Sequence, residues 1–502
     1  MLTLDRLIRR AGALYHSRLA VVDGEVRLTY GEVADRARRL AAALDARGIK
    51  PGDRVALMAR NSFRAMELHF ACAIAGAVLL PLNIRLAKVE LEFILREAGV
   101  RLLFCALPLE TTVCESIVWD DGDPLLKGGF DEFLSASISV ESPPKQINDI
   151  AQVFYTSGTT GAPKGVCLTH LNLMSSAIDA VIGLEMNERD AWLHASPMFH
   201  LVDAFAIWGA TLVGAKHVIT HFEPGLFGPL VAQEHVTKTS LPPTLLDKIV
   251  RESDVAEHNL GSLDRISYGG SPMQEAVYGR CVEVLGCKLL QAYGLTEGSG
   301  FVCHEMPGDN PTPAHLLNTV GRPTLHAELE LVDDAGRSVE SSQVGEICLR
   351  GDRVTRGYWE NPAATAGAFV GGWYRTGDLG TRDENGRYRI VGRKKEMIIS
   401  GGENVYPAEV INALLSHPGI EEAAVFGVPS ERWGEEVCAV VYPLRGNVAA
   451  LTPNELVSHC RGLVGGYKVP KAIHISSEPL PKSGPGKIAT SVVRARYVQG
   501  IN

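Results

Sequence analysis

The sequence predicts an α/β protein with more than one domain. Three observations carry this reading. Residues 1–100 alternate helical periodicity with short continuous apolar runs, as parallel strands covered by helices do. A chain of 502 residues exceeds one compact core, since a domain takes roughly 150. Residues 320–390 then turn strand-rich, and the tail from about 397 reads as a compact α+β domain.

Taken in order, Tyr30 to Leu44 carries apolar residues at helical spacing, and Gly48 suits a helix end. Arg54–Met58 reads as a strand, Met66–Ala77 as a buried helix and Val78–Leu82 as a strand. Residues 101–150 are weakly patterned. Ile150–Tyr155 is a buried strand and His170–Gly183 a helix. Turn signals follow at Asp333-Asp-Ala-Gly336 and Asp383-Glu-Asn-Gly386. In the tail, Pro407–Ser416 is a helix with proline in its first turn, and Ala423–Val428 and Val437–Leu444 are strands. Thr452-Pro-Asn-Glu455 opens a capped helix, and Lys471–Ser476 is a strand.

Composition narrows the function classes. A net charge of −9 without a block of like charges gives nucleic acid no electrostatic footing. The ten cysteines form no C-x-x-C pair, so neither a zinc site nor a redox dithiol is expected. A reduced, cytoplasmic protein is the simpler account, and Met1–Arg10 lacks the apolar core of a signal peptide. The longest apolar run, Phe70–Leu82, falls short of the roughly 20 residues of a membrane span.

The stretch that points to chemistry is Tyr155-Thr-Ser-Gly-Thr-Thr-Gly-Ala-Pro-Lys-Gly165. Glycines let backbone amides turn toward an anion, and Thr156, Ser157, Thr159, Thr160 and Lys164 add hydroxyls and a cation. The physical reading is a polyphosphate clamp; standing alone, the stretch reads more readily as a Gly/Ser/Thr-rich surface loop. It is not a P-loop, because Pro163 and Gly165 stand where that motif needs glycine and Ser or Thr.

This stretch resembles the phosphate loop of the adenylate-forming superfamily, which includes acyl- and aryl-CoA synthetases, peptide-synthetase adenylation domains and luciferases. Four further segments are similar to that family's motifs in the family's order. These are Tyr268-Gly-Gly-Ser-Pro272, Gln291-Ala-Tyr-Gly-Leu-Thr-Glu297, Gly372-Trp-Tyr-Arg-Thr-Gly-Asp378 and Gly392-Arg-Lys-Lys395 with Gly401-Gly402. A closing Pro481-Lys-Ser-Gly-Pro-Gly-Lys487 resembles the catalytic-lysine loop.

The resemblance implies a large N-terminal AMP-binding domain of stacked α/β sheets with a β-rich subdomain, over residues 1–392. It implies a hinge at 393–396 centred on Lys395, and a small mobile α+β C-terminal domain over 397–502. ATP would be held by Thr156, Ser157, Gly158, Thr159, Thr160, Gly161, Lys164, Gly269, Gly270, Ser271, Tyr293, Gly294, Asp378 and Arg393. Thr296 would bond the α-phosphate, Glu297 would hold Mg²⁺, and Lys487 would be the catalytic lysine. His200, in Ser196-Pro-Met-Phe-His200, would line the acyl pocket; one histidine among apolar residues is otherwise ordinary core. Gly401 and Gly402 would border the pantetheine tunnel, and Trp433, Tyr467 and Lys471 would meet coenzyme A. Asp203 lies two residues from the position that holds the ammonium in amino-acid-activating relatives, which disfavours an amino-acid substrate. Ile411 departs from the glutamate of many relatives, outside the chemistry.

The expected activity is that of an acid–thiol ligase. It activates a hydrophobic aliphatic or aromatic carboxylic acid as its adenylate, then transfers the acyl group to CoA, releasing AMP and pyrophosphate. A ligase loading an acyl-carrier protein is the alternative, disfavoured because no extra segment before the hinge blocks CoA. A degenerate nucleotide-binding regulator is a third class, and it would have lost Lys487 or Glu297. The resemblance is compatible with a homodimer.

Overall fold

The computed structural model describes residues 3–106, 111, 113–118, 143, 145–156, 163–252, 254–271, 273–305, 319–444, 451–482 and 488–499. The fold is mixed α/β, with a large N-terminal and a smaller C-terminal part. The chain divides into two compact units: Met1–Pro272 with Val277–Leu329 and Leu349–Tyr374, and Met273–Ala276 with Glu330–Cys348 and Arg375–Asn502.

The larger unit holds two sheets. One has six strands in the order Glu115–Val118, Val100–Cys105, Arg54–Met58, Val78–Pro81, Ile150–Thr156, Lys164–Thr169. All neighbours are parallel except the last pair, a hairpin. Val55 and Leu57 face one core while Ala56 and Met58 face another, so both sheet faces are buried. That is why these strands read as continuous apolar runs rather than alternating ones. The helix Phe63–Ala75 is buried all round and starts three residues before the expected Met66, because the Ser62 side chain caps it by accepting from the Ala65 amide. Helix His170–Gly183 has the expected bounds, fixed by the reciprocal cap between Thr169 and Asn172.

The second sheet has nine strands, ordered Arg322–Pro323, Gly300–His304, Lys288–Leu295, Arg265–Gly269, Lys238–Leu241, Ala191–His194, Lys216–Ile219, Leu19–Asp23, Val26–Thr29. Its middle is parallel and its edges antiparallel. One core cluster joins strands of both sheets to the helices Leu4–Leu14, Tyr30–Ala46, Phe63–Ala75, His170–Gly183 and Leu201–Val213. Ligands of parallel sheets bind beyond the carboxyl ends of the strands. Each motif of the larger unit leaves such an end: 157–162 follows Thr156, 195–200 follows His194, Gly270 follows Gly269, and Thr296 follows Leu295.

In the smaller unit, the two expected turns form with Gly336 and Gly386 at positive φ, closed by the Asp333 and Asp383 carbonyls. A further sheet orders Glu403–Val405, Ile398–Ser400, Gly434–Pro443 and Ile420–Ser430, with Ala472–Ile475 parallel to Gly434–Pro443. Helices Pro407–Leu415 and Pro453–Arg461 share its core. Pro407 occupies the first turn, and Thr452 caps the second helix through the Glu455 amide. Among the described residues no helix is long and apolar enough to cross a membrane.

Candidate active site

The phosphate-loop residues Ser157, Gly158, Thr159, Thr160 and Gly161 lie outside the described residues, as does Lys487. The base of that loop is described. Thr156 and Lys164 face each other across the hairpin ladder, and the Thr156 hydroxyl lies 3.5 Å from the Lys164 carbonyl. The Lys164 ammonium sits 5.3 Å from the centroid of the Tyr358 ring, within cation–π range. The Tyr358 hydroxyl donates to Glu297 Oε1 at 2.9 Å and lies 3.1 Å from the Tyr374 hydroxyl. Burial, reinforced by the Glu297 charge, pushes both phenols far above the ordinary tyrosine range, so both remain protonated donors. The fold thereby brings the loop base to Thr296–Glu297 through Tyr358, which no motif includes, and Tyr374 of the Gly372–Asp378 motif.

The Glu297 carboxylate is half-buried and held by a neutral donor. Mg²⁺ prefers oxygen ligands and is usually bound through one or two carboxylates plus substrate phosphates. One carboxylate beside a phosphate loop fits that donor set. Among the described residues no cluster of three or more His, Cys, Asp or Glu offers a self-sufficient cage.

Segment 195–200 is pinned from outside. Asn61 donates to the His194 and Ser196 carbonyls and accepts from the Met198 amide, all at 2.8 Å. The Ser196 hydroxyl donates to the Ser240 carbonyl at 2.8 Å. His200, half-buried, then forms the N-terminal boundary of helix Leu201–Val213, its ring 4.7 Å from that of Phe199. One turn on, Asp203 points into the core. It accepts from Trp192 Nε1 at 3.1 Å and from His194 Nδ1 at 2.6 Å, and is fully buried. Its carboxylate is thus committed to a core network, in keeping with the expectation that it holds no substrate ammonium.

Gly269 and Gly270 have different reasons for being glycine. A Cβ at Gly269 would lie 2.4 Å from the Ala292 carbonyl oxygen of the neighbouring strand, so sheet packing alone excludes a side chain there. Gly270 is exposed at φ +84°, where an L side chain is strained, and Ser271 is half-exposed beside it. Tyr293 is half-exposed and pairs across the ladder with Cys303; a bulge follows at Gly294, where any Cβ would collide with the Gly300 carbonyl.

In the smaller unit, Asp378 and Arg393 are cross-strand partners and form an ion pair at 2.8 Å. Asp378 is buried, its amide bonded to the Thr376 hydroxyl, while the Arg393 side chain is largely exposed. Lys395 is exposed on the short turn Lys394–Glu396. Trp433, Tyr467 and Lys471 come together with Ser400 and Gly466 around a cavity of about 230 Å³. The Lys471 ammonium lies 5.6 Å from the Trp433 ring centroid. Gly401, at φ +62°, donates to the Trp433 carbonyl, and a Cβ there would come within 2.9 Å of the indole. Gly402, at φ +85°, has open space around it.

Similarity to known proteins identifies the family. The family model "AMP-binding enzyme" matches residues 8–359, and "AMP-binding enzyme C-terminal domain" matches residues 409–487. The chain is 36% identical over 492 residues to a feruloyl-CoA synthase of an Amycolatopsis species, covering 98% of both. It is 34% identical over 491 residues to the 2-succinylbenzoate–CoA ligase of Geobacillus kaustophilus, covering 97% of both. In structure it is similar to o-succinylbenzoate CoA synthetase of Bacillus subtilis in complex with its acyl-adenylate intermediate, with TM-score 0.87, 28% identity and 97% of both chains covered. The same synthetase bound to ATP and magnesium aligns with TM-score 0.86. With a family model covering residues 8–359 and its C-terminal partner following, this chain belongs to the AMP-binding enzymes, the adenylate-forming family that its motifs resemble.

Proposed function

We propose that this protein is an AMP-forming acyl- or aryl-CoA synthetase. It converts a hydrophobic carboxylic acid to its adenylate with ATP and Mg²⁺, then passes the acyl group to the thiol of CoA. The observation that carries this reading is the meeting of Lys164, Tyr358 and Glu297 at the base of the phosphate loop. The relatives named feruloyl-CoA synthase and 2-succinylbenzoate–CoA ligase support an aromatic acid within that class.

A carboxylate is a poor electrophile, and adenylation turns one of its oxygens into part of a good leaving group, AMP. The acid's oxygen attacks the α-phosphorus, and pyrophosphate leaves. The demand on the protein is charge neutralisation and alignment more than covalent chemistry. Lys164 and the loop amides hold the phosphates, Thr296 the α-phosphate, and Lys487 stabilises the charge that develops. Mg²⁺ on Glu297 supplies further neutralisation of phosphate charge. Tyr293 offers adenine an aromatic face, with Gly269, Gly270 and Ser271 beside it, and Asp378 with Arg393 receives the ribose. His200 borders the acyl group. In the second step the thiol attacks the acyl carbonyl, AMP departs, and Lys395 serves as the hinge between the two steps. A reduced, cytoplasmic setting is the reading that its ten free cysteines support.

The Trp433 cavity is assigned to the nucleotide end of CoA. An indole face and a lysine suit a base and its phosphates, and stacking on an aromatic is worth about 1–3 kcal/mol. Trp433→Ala is expected to raise the KM for CoA about 10- to 100-fold while leaving pyrophosphate release within twofold. Steady-state kinetics of each half-reaction check this; an unchanged KM for CoA removes the assignment.

The deciding experiment is mass spectrometry of the protein with ATP, Mg²⁺ and a pool of aromatic and aliphatic acids, with and without CoA. An acyl-CoA appearing only in the complete mixture is the expected result. Acyl-adenylate that accumulates despite CoA would reassign the acceptor to a carrier-protein thiol.

A further inference from the structure

The turn that carries Glu297 is held in an unfavourable backbone state. Ser299 sits in the left-handed region, at φ 58° and ψ 40°, and is fully buried, and Gly300 follows at φ +103°. Such a conformation persists where the surroundings over-determine it. Here segment 353–358 does most of this, joined by the Ser176 hydroxyl, which donates to the Ser299 carbonyl at 2.6 Å. Arg353 Nε donates to the Gly298 carbonyl at 2.9 Å, and its Nη2 to the Ser299 carbonyl at 3.3 Å. The Ser299 hydroxyl donates to the Arg353 carbonyl at 2.7 Å. Two residues on, the Thr355 amide donates to the Glu297 carbonyl at 2.7 Å. Then Tyr358 reaches the Glu297 carboxylate.

Arg353 is the unexpected member. Its guanidinium is completely buried, against a side chain that is almost always exposed. The charge is met by Asp179, also fully buried, at 2.6 Å, and the fork is completed by the Thr324 and Ser176 hydroxyls at 2.9 and 3.2 Å. His326 Nδ1 donates to the other Asp179 oxygen at 2.7 Å. A buried ion pair is weak evidence for stability, because well-packed apolar residues often do as well. What apolar residues cannot do is hold two successive carbonyls with a planar fork.

We infer that Arg353, neutralised by Asp179, is a positioning residue that fixes the Gly298–Ser299 backbone and so holds the Glu297 carboxylate where it meets Mg²⁺–ATP. This rests on the reading of Glu297 as the magnesium ligand. The pair touches neither metal nor substrate; it acts through the turn.

The test separates positioning from folding. The double variant Arg353→Met/Asp179→Leu removes both charges together, so no lone charge stays buried. Mn²⁺ replaces Mg²⁺, and its affinity for the enzyme–ATP complex is read by electron paramagnetic resonance, well below the melting temperature of each variant. We expect Mn²⁺ affinity to fall about tenfold or more, with faster amide hydrogen exchange over residues 296–301. Arg353→Lys keeps the charge but loses the fork, and is expected to show the same loss; it decides the matter if the double variant does not fold. A control pair elsewhere in the same unit, Lys238–Asp190 at 2.7 Å, is changed likewise to Met and Leu and is expected to leave Mn²⁺ affinity unchanged. Glu297→Gln tests the parent reading: unaltered Mn²⁺ affinity in that variant overturns it. If Glu297→Gln loses the metal while a folded Arg353 variant retains it, the positioning role is wrong and the reading of Glu297 stands.

Discussion

Lys487→Ala is expected to slow acyl-adenylate formation by about 100- to 1,000-fold while leaving thioester formation from supplied acyl-adenylate and CoA within about threefold of the parent. The asymmetry follows from where charge develops. In the first step the α-phosphate becomes crowded with negative oxygens as pyrophosphate leaves, and removing one preorganised donor of that kind typically costs about 3–4 kcal/mol. In the second step the reacting centre is the acyl carbonyl, AMP is already a good leaving group, and the β- and γ-phosphates are gone. Pyrophosphate release measures the first step, and liquid chromatography of acyl-CoA made from synthetic adenylate measures the second. Trp433→Ala supplies the mirror image, weakened in the second step and intact in the first. Equal losses in both half-reactions for Lys487→Ala would contradict the assignment of that lysine to adenylation.

The motifs that carry this argument were legible because they are local. Each is a few consecutive residues, and in the larger unit those after Thr156, His194, Gly269 and Leu295 follow the carboxyl end of a strand, where spacing along the chain is nearly spacing in the site. The strands were legible for a related reason: Arg54–Met58 and Val78–Pro81 are buried on both faces and therefore uniformly apolar. The supports of the site have no such signature. Arg353 and Asp179 are 174 residues apart, Tyr358 and Glu297 are 61 apart, and Asn61 reaches Ser196 across 135. An arginine in Gly351-Asp-Arg353 reads as solvated until the fold closes hydroxyls and a carboxylate around it.

Glycine was legible in position but not in cause. The pair Gly269-Gly270 reads as an opening for a flat ligand, yet Gly269 is required by the Ala292 carbonyl behind it. Only Gly270, exposed and at positive φ, remains as a place where a ligand can approach the backbone. Asp203 illustrates the same limit in reverse. Sequence counting left its direction open, and the structure turns it inward to His194 and Trp192. That inward turn ties the first turn of helix Leu201–Val213, and with it His200, to a buried histidine network.

Buried histidines make the larger unit acid-sensitive, and a fall of about 5–10 °C in its melting midpoint is expected between pH 7.5 and pH 5.5. Four histidines of that unit are buried neutral. Burial is the main cause in each. It pushes His69 down to about 3, with the neighbouring His194 adding to the effect and the Gln152 amide opposing it. It pushes His170 down to about 4, where Lys145 adds and Asp5 and Asp149 oppose. His304 also falls to about 4, with Arg265 adding and the Glu305 backbone opposing. His217, 2.9 Å from His194, falls well below the ordinary histidine range. Unfolded, each takes a proton near pH 6.5. Between that pH and the folded values the unfolded chain binds more protons than the native one, so stability rises with pH. It is therefore complete above about pH 6.5 and is lost as the pH falls, levelling off near 4 for His170 and His304 and near 3 for His69. Each group contributes up to about 1.4 kcal/mol per pH unit in that window, or about 5 kcal/mol together at pH 5.5. For a body of this size 1 kcal/mol moves the midpoint by about 1–2 °C. Scanning calorimetry at pH 7.5, 6.5 and 5.5 measures the shift, and His304→Leu, of comparable volume, should reduce the proton uptake on unfolding by about one. A midpoint that stays level down to pH 5.5 would show that these histidines already carry their protons in the native protein, against a core that gives the charge no compensating carboxylate at His69 or His217.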